Sequence, residues 1–258
     1  MALSKVWQNM FLEDELHVAY KIGNAPVGLF PFPHFYIEDV FSDKFYNEIQ
    51  KNLPEEKFLF PIHLKRNVPE TYKDRLIISL DDDDLENLPG DQAEFWGSLK
   101  KQLLGGSLKQ FFVSRFQGYL KKLHPNLENY SFNSEILIVK DKKNYALGPH
   151  TDRKDKLLTM LFYLPNDNQE SHLGTSMYTP KDPTFNCPGG PHYERDNFNL
   201  VYTAPFKKNS AFGFIKTSNS FHGVEKVLET NERWLLLYDI YFKNKTSFEQ
   251  EANTNFKW

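Results

Sequence analysis

The chain has 258 residues, 40% of them hydrophobic and 25% charged, with a formal net charge of −3. That length suffices for one large domain or two small ones around a sizeable core, and the near-neutral charge gives no general electrostatic grip on nucleic acid or an anionic membrane. A lone cysteine, Cys187, excludes an intrachain disulfide framework and fits a reducing compartment.

The 23 Phe and 13 Tyr favour a β-rich core, because aromatic side chains suit strands. The first twenty residues show no apolar run followed by a small-residue cleavage site. No window approaches the ~20 apolar residues of a membrane helix. These features point to a cytoplasmic protein with neither a nucleic-acid nor a membrane partner; they leave the oligomeric state open.

Residues 1–30 carry no clear period. "FPHFYIEDVF" (32–41) reads as a strand entering a turn. Ser42 follows as the N-cap of a helix that places Phe45, Ile49 and Leu53 on one face and ends before Pro54. "DRLIISL" (74–80) is a second strand. The acidic run Asp81–Asp84 reads as a solvated turn or helix start, since it lacks the spacing of a calcium loop. Residues 92–123 are helical in pattern, with a break at Gly105-Gly106. After Pro125, short apolar runs alternate with turn signals, as in a sandwich or barrel. The stretch from Lys181 to Lys208, rich in Pro and Gly, reads largely as a long loop of the kind that forms lids. The whole, 1–258, reads as one domain: a helix-rich support over 1–125 and a β core over 126–246.

The chemistry concentrates in "LGPHTDRKDK" (147–156). In an extended segment His150 and Asp152 point to the same face, and an imidazole with a carboxylate suits Fe(II), Mn(II) or Zn(II). A structural His–Asp hydrogen bond is the competing reading. A metal needs a third ligand, and His222 in "SNSFHGVEKV", between two strand-like runs, is the best placed. Two His and one carboxylate leave the open positions of a non-haem iron facial triad. Arg233 stands eleven residues further on. With His222 ending one strand and Arg233 beginning the next, a hairpin brings them together, and a buried Arg requires an anionic partner. Its planar fork suits the remote carboxylate of a small dicarboxylate. Arg75 and Lys140 are weaker candidates for an anionic substrate group.

Three pieces, "YALGPHTDRKDKLLTMLFYLP", "LGTSMYTP" and "AFGFIKTSNSFHGVEKV…NERWLLLYDIYF", together resemble the Fe(II)- and 2-oxoglutarate-dependent oxygenase superfamily, nearest to its prolyl 4-hydroxylase-like branch. The resemblance implies a mainly β fold with supporting helices around a double-stranded β-helix (jelly-roll, cupin-like) core. It implies Fe(II) held by His150, Asp152 and His222, with 2-oxoglutarate and O2 as cosubstrates and ascorbate as an auxiliary. Arg233 is expected at the far carboxylate of 2-oxoglutarate, and Tyr163 beside it. Many relatives carry Ser or Thr two residues after the Arg, where this chain has Leu235; support for the carboxylate then falls to Tyr163 or Thr159. Tyr145 either faces the cosubstrate or substrate or packs in the core. Halogenating relatives lack the carboxylate ligand, so Asp152 favours hydroxylation of a C–H bond in a small-molecule, amino-acid or peptidyl substrate, releasing succinate and CO2. Two alternatives stand beside this: a metal-dependent β-fold oxygenase that does not use 2-oxoglutarate, and a non-catalytic jelly-roll binding module.

Overall fold

The computed structural model describes residues 5–80, 82–102, 104–228 and 232–243. The N-terminal half supplies helices α1 (Lys5–Asn24), α2 (Asp43–Lys51), α3 (Ile62–Lys65), α4 (Asp82–Leu85), α5 (Gly90–Gln102), α6 (Gly106–Arg115) and α7 (Gln117–Leu123). It also supplies strands β1 (His34–Glu38), β2 (Phe60–Pro61) and β3 (Arg75–Ser79). The C-terminal half is β4 (Phe132–Asp141), β5 (Leu147–His150), β6 (Lys156–Tyr163), β7 (Thr175–Pro180), β8 (Phe198–Thr203), β9 (Ser210–Ile215), β10 (His222–Val224) and β11 (Arg233–Phe242).

Two antiparallel sheets face each other. The larger runs β1-β9-β6-β11-β4-β3-β2, the smaller β5-β10-β7-β8. The three N-terminal strands therefore complete the larger sheet rather than forming a separate unit.

Strand side chains alternate between faces, and the central strands of the larger sheet use that alternation to serve two cores. Ile136 and Ile138 of β4, Met160 and Phe162 of β6, and Leu236, Tyr238 and Ile240 of β11 pack with the helices, among Phe11, Phe45, Trp96 and Phe112. Their neighbours Leu137, Val139, Leu161, Tyr163 and Leu235 face the smaller sheet and meet Leu173, Met177 and Val224. Polar residues at inward positions consequently lie between the sheets, where water is scarce.

The Ser42 cap forms as the sequence predicts: its Oγ accepts from Phe45 N at 3.2 Å. Asp14 of α1 in turn accepts from Ser42 N at 2.9 Å and Ser42 Oγ at 3.1 Å. The helical stretch breaks at Gly105 and again at Phe116. Asp84 bonds Lys65 at 2.7 Å and Ser79 N at 2.9 Å, so part of the acidic run is structural; Asp81 lies outside the described residues. One unpredicted element is α1. Its buried stripe includes Phe11, Asp14, Val18 and Ile22, but Leu12, Leu16 and Tyr20 are exposed, so apolar residues on both faces blur the helical period. Within the Lys181–Lys208 stretch β8 occupies Phe198–Thr203, and the loop is the part before it.

Two glycines mark where backbone or ring packing leaves no room for a Cβ. At Gly174 it would lie 1.5 Å from Ala204 O, and at Gly213 2.2 Å from the Phe35 ring. Gly174→Ala meets fixed backbone and is expected to cost at least about 2 kcal/mol, and Gly213→Ala about 1–3 kcal/mol. Gly118→Ala, with nothing within 4 Å, should shift stability by less than about 1 kcal/mol. Urea midpoints at unchanged m value measure all three.

Candidate metal and anion site

His150 ends β5 and His222 opens β10, and the two are partners in register on the smaller sheet. Their ring centroids are 4.3 Å apart. His150 Nδ1 donates to Gly148 O at 3.0 Å and His222 Nδ1 donates to Ser220 O at 2.9 Å. Each bond fixes the tautomer and leaves Nε2 as the free lone pair, the usual preparation of a metal-binding imidazole. Asp152, just beyond β5, brings its Oδ1 to 3.9 Å from both Nε2 atoms. One ligand atom from each residue lies within 4.8 Å of the others, and this is the one such group of three found among the described residues.

Electrostatics prepares the same three groups. Burial pushes the His150 imidazole well below its ordinary pKa, with His222 adding to the effect, and burial likewise lowers His222. Both are therefore neutral at pH 7, as ligands must be. Burial alone would raise Asp152, but Lys156, His222 and His150 outweigh it and hold the carboxyl well below the usual range. Lys156 Nζ reaches Asp152 Oδ1 at 3.2 Å and Asp239 Oδ2 at 2.9 Å, while Thr159 Oγ1 donates to Asp152 Oδ2 at 2.8 Å. Two buried neutral imidazoles, an ionised carboxylate and bonds that orient all three fit a divalent transition metal.

A second polar cluster lies on the larger sheet. Arg233 opens β11 and is fully buried. Its Nε donates to Leu173 O at 2.6 Å, Nη1 to Asp141 Oδ2 at 2.8 Å, and Nη2 to Thr175 Oγ1 at 3.3 Å. Tyr163 OH donates to the same Thr175 Oγ1 at 2.9 Å, and Arg233 lies 5.6 Å from the Tyr163 ring. A guanidinium, a hydroxyl and a phenol thus converge on one buried point. Val224 pairs with Thr175, and His222, two residues along β10, pairs with Met177, so β10 and β7 link this cluster to the histidines.

No protein-family model and no curated protein matches the sequence. Among solved structures, a prolyl 4-hydroxylase from Phytophthora capsici is matched by 100% of this chain and over 72% of its own length, with a TM-score of 0.50 at 13% identity. The chain has the fold of a prolyl 4-hydroxylase. A prolyl-4-hydroxylase from Pseudomonas putida overlaps 89% of this chain and 99% of its own (TM-score 0.45, 14% identity). An oxidoreductase of the 2OG-Fe(II) oxygenase family from Burkholderia pseudomallei overlaps 90% and 89% (TM-score 0.46, 14% identity). The expected jelly-roll core is present as the two facing sheets.

On this prolyl 4-hydroxylase fold three expectations change. His222 and Arg233 do not share a hairpin: they begin strands in opposite sheets. Thr159 lies with the histidine–aspartate group rather than with Arg233, because its hydroxyl is committed to Asp152. Lys140 points to the outer side, paired with Glu56 and Glu232 at 2.8 Å each. Tyr145 is buried with the Arg75 guanidinium 4.3 Å above its ring.

Residues the sequence did not single out complete the site. Asp141 and Asp239 could have been found as lone carboxylates at inward positions of the apolar runs "EILIVKD" and "RWLLLYDIYF". Lys156 has no such signal, because the β6–β11 register is irregular beside it. Lys216 is a half-buried cation whose Nζ donates to Pro188 O; burial pushes its ammonium down to about 8.

His150→Ala, Asp152→Ala and His222→Ala should each abolish the stabilisation that Mn(II) gives the purified chain, about 2.7 kcal/mol at a hundredfold excess over Kd. Thr159→Val should weaken metal affinity by about 10–100-fold, as loss of an outer-shell bond does. Thermal shift against metal concentration reads both effects.

Proposed function

We propose that the protein is an Fe(II)- and 2-oxoglutarate-dependent dioxygenase that hydroxylates a C–H bond of a small molecule, an amino acid or a peptidyl substrate. The observation that carries this is the pairing of a two-histidine, one-carboxylate group with a buried arginine–tyrosine–threonine cluster across one sandwich. A facial triad leaves coordination positions for a chelating cosubstrate and O2, and the second cluster is built for a carboxylate.

His150 Nε2, Asp152 Oδ1 and His222 Nε2 would hold the iron. Arg233, with Tyr163 and Thr175, would take the far carboxylate of 2-oxoglutarate, giving the dicarboxylate a fixed direction. Bound Fe(II), with 2-oxoglutarate and O2, supplies the oxidising power that hydroxylates the C–H bond and leaves succinate and CO2. Thr159 and Lys156 keep Asp152 ionised and aimed. The apolar walls of Leu161, Leu235 and Val224 exclude water from the space between the sheets.

The loop over 181–197 borders the site on the substrate side. His192 stands 4.4 Å from the His150 ring and shares a hydrogen bond with Tyr72 OH, so the loop meets the N-terminal half beside the metal ligands. Gly189 adopts a φ of +142° and packs within reach of the Asp152 and Lys154 backbone. We read this loop as the wall that a substrate meets, with His192 as its polar contact.

Anaerobic mixing with Fe(II) and 2-oxoglutarate should produce the weak visible charge-transfer band of the chelate, at one equivalent of each per chain. In air, candidate substrates should raise succinate release above the uncoupled rate. Absence of both the band and calorimetric binding of 2-oxoglutarate would falsify the cosubstrate assignment. His192→Ala should raise KM for a true substrate while leaving the charge-transfer band intact.

A further inference from the structure

At one end of the sandwich β3, β4 and β11 lie side by side, and Asp141, closing β4, is in register with both Arg75 and Arg233. Its fully buried carboxylate accepts from Arg75 Nε at 2.6 Å and Nη2 at 2.8 Å, and from Arg233 Nη1 at 2.8 Å. Arg75 is held in turn by the Tyr145 ring beneath it, and its side chain is 12% exposed. Burial opposes the charge on Arg75, yet its guanidinium pKa is raised, Asp141 being the foremost cause.

Charge decides what this arrangement does. Arg233 with Asp141 alone is a neutral ion pair, and a neutral pair offers a second anion little net attraction. Arg75 forms the bidentate contact with Asp141, the geometry in which guanidinium and carboxylate bind best. The three groups together then carry one net positive charge. That charge belongs to the guanidinium whose Nη2 points at Thr175 and Tyr163.

We infer that Arg75 is a positioning residue that neutralises Asp141 and so restores to Arg233 the charge with which it takes the far carboxylate of a 2-oxo dicarboxylate. The inference rests on the cosubstrate reading above and adds to it a residue from the N-terminal half. Arg75 acts through Asp141, and Asp141 also sets the rotamer of Arg233. Selectivity for a dicarboxylate over a monocarboxylate 2-oxo acid of the same length thereby depends on β3.

The test is calorimetry on the full chain loaded with Mn(II), titrated with 2-oxoglutarate and with 2-oxopentanoate, which lacks the far carboxylate. Arg75→Gln should weaken 2-oxoglutarate at least about tenfold and 2-oxopentanoate less than about twofold, because only the former meets the altered charge. Arg75→Lys should stay within about threefold of wild type, and the Arg75→Gln/Asp141→Asn double variant should recover most of the loss, since Arg233 is then again unopposed. An unchanged Arg75→Gln overturns the inference. Equal loss for both acids assigns Arg75 a merely structural role and overturns it too. A double variant as weak as Arg75→Gln rules out the charge argument. If Arg75→Gln does not fold, the double variant carries the test, because removing both partners spares an unpaired buried charge; it must keep the preference for the dicarboxylate. Wild-type protein that fails to bind 2-oxoglutarate overturns the cosubstrate reading and this inference together, whereas wild-type binding with an indifferent Arg75→Gln overturns this inference alone.

Discussion

Between the two sheets, Arg75, Lys156 and Arg233 face Asp141, Asp152 and Asp239. An ion in such an interior costs several kcal/mol unless it is paired and hydrogen-bonded. The six groups are paired in two units, one around Asp141 and one around Lys156, with Asp239 Oδ1 left without a hydrogen-bond partner and its carboxyl pKa raised by burial. Each unit has an odd number of charges, so each keeps a remainder. The arginine unit is left positive, and the lysine unit is left negative where Asp239 is ionised. These opposite remainders, held apart by apolar side chains such as Leu161 and Leu235, are what the interior is organised to present.

The backbone makes that organisation attainable. Antiparallel strands of the larger sheet give every second residue to the sandwich and the rest to the helices. Helices packed on Ile138, Phe162 and Leu236 bury the outer face, so the inner face can carry charge without being the sole source of hydrophobic stabilisation. Lys156 occupies the irregular end of the β6–β11 pairing, where a long side chain can reach two carboxylates from different elements. Both histidines sit on the smaller sheet, where β5 and β10 are short and their carbonyl neighbours, Gly148 O and Ser220 O, fix the rings from behind.

Much of this was legible in the chain and some of it was not, for physical reasons. His150 and Asp152 declare themselves because an extended segment puts them on one face, and they stay close in the fold although Asp152 lies just beyond β5. The jelly-roll region is legible because short apolar runs alternate with turns. Helix α1 is not: Leu12, Leu16 and Tyr20 lie exposed opposite the buried stripe, so its sequence shows no contrast. Thr159 could be assigned to the inner face by its period but not to the correct cluster, since the distance to Asp152 depends on how the chain turns after β5. The Asp141–Arg233 contact lies deeper still. It follows from the register of two strands ninety-two residues apart in sequence, and lateral register is fixed by the whole sheet rather than by either segment.

Charge balance also bears on the ligands the interior accepts together. With both imidazoles neutral, Arg75, Arg233 and Lys156 balance Asp141, Asp152 and Asp239 in formal charge, while burial raises the Asp239 carboxyl towards its neutral form and Lys216 lies half-buried nearby. A divalent metal at the histidines adds two positive charges, and a 2-oxo dicarboxylate adds two negative ones. The filled interior is then neutral again, with each ligand beside the remainder of opposite sign. Metal alone leaves the interior at plus two, and the dicarboxylate alone leaves it at minus two, in a region where uncompensated charge is costly. On the proposed reading each ligand would favour the other through the field of the site as well as through direct chelation, and by reciprocity the coupling would have the same magnitude in both directions. On the proposed cosubstrate reading the Arg75 side chain would supply this balance: without it the arginine unit has no remainder, and a bound metal would lose the distant partner that balances it.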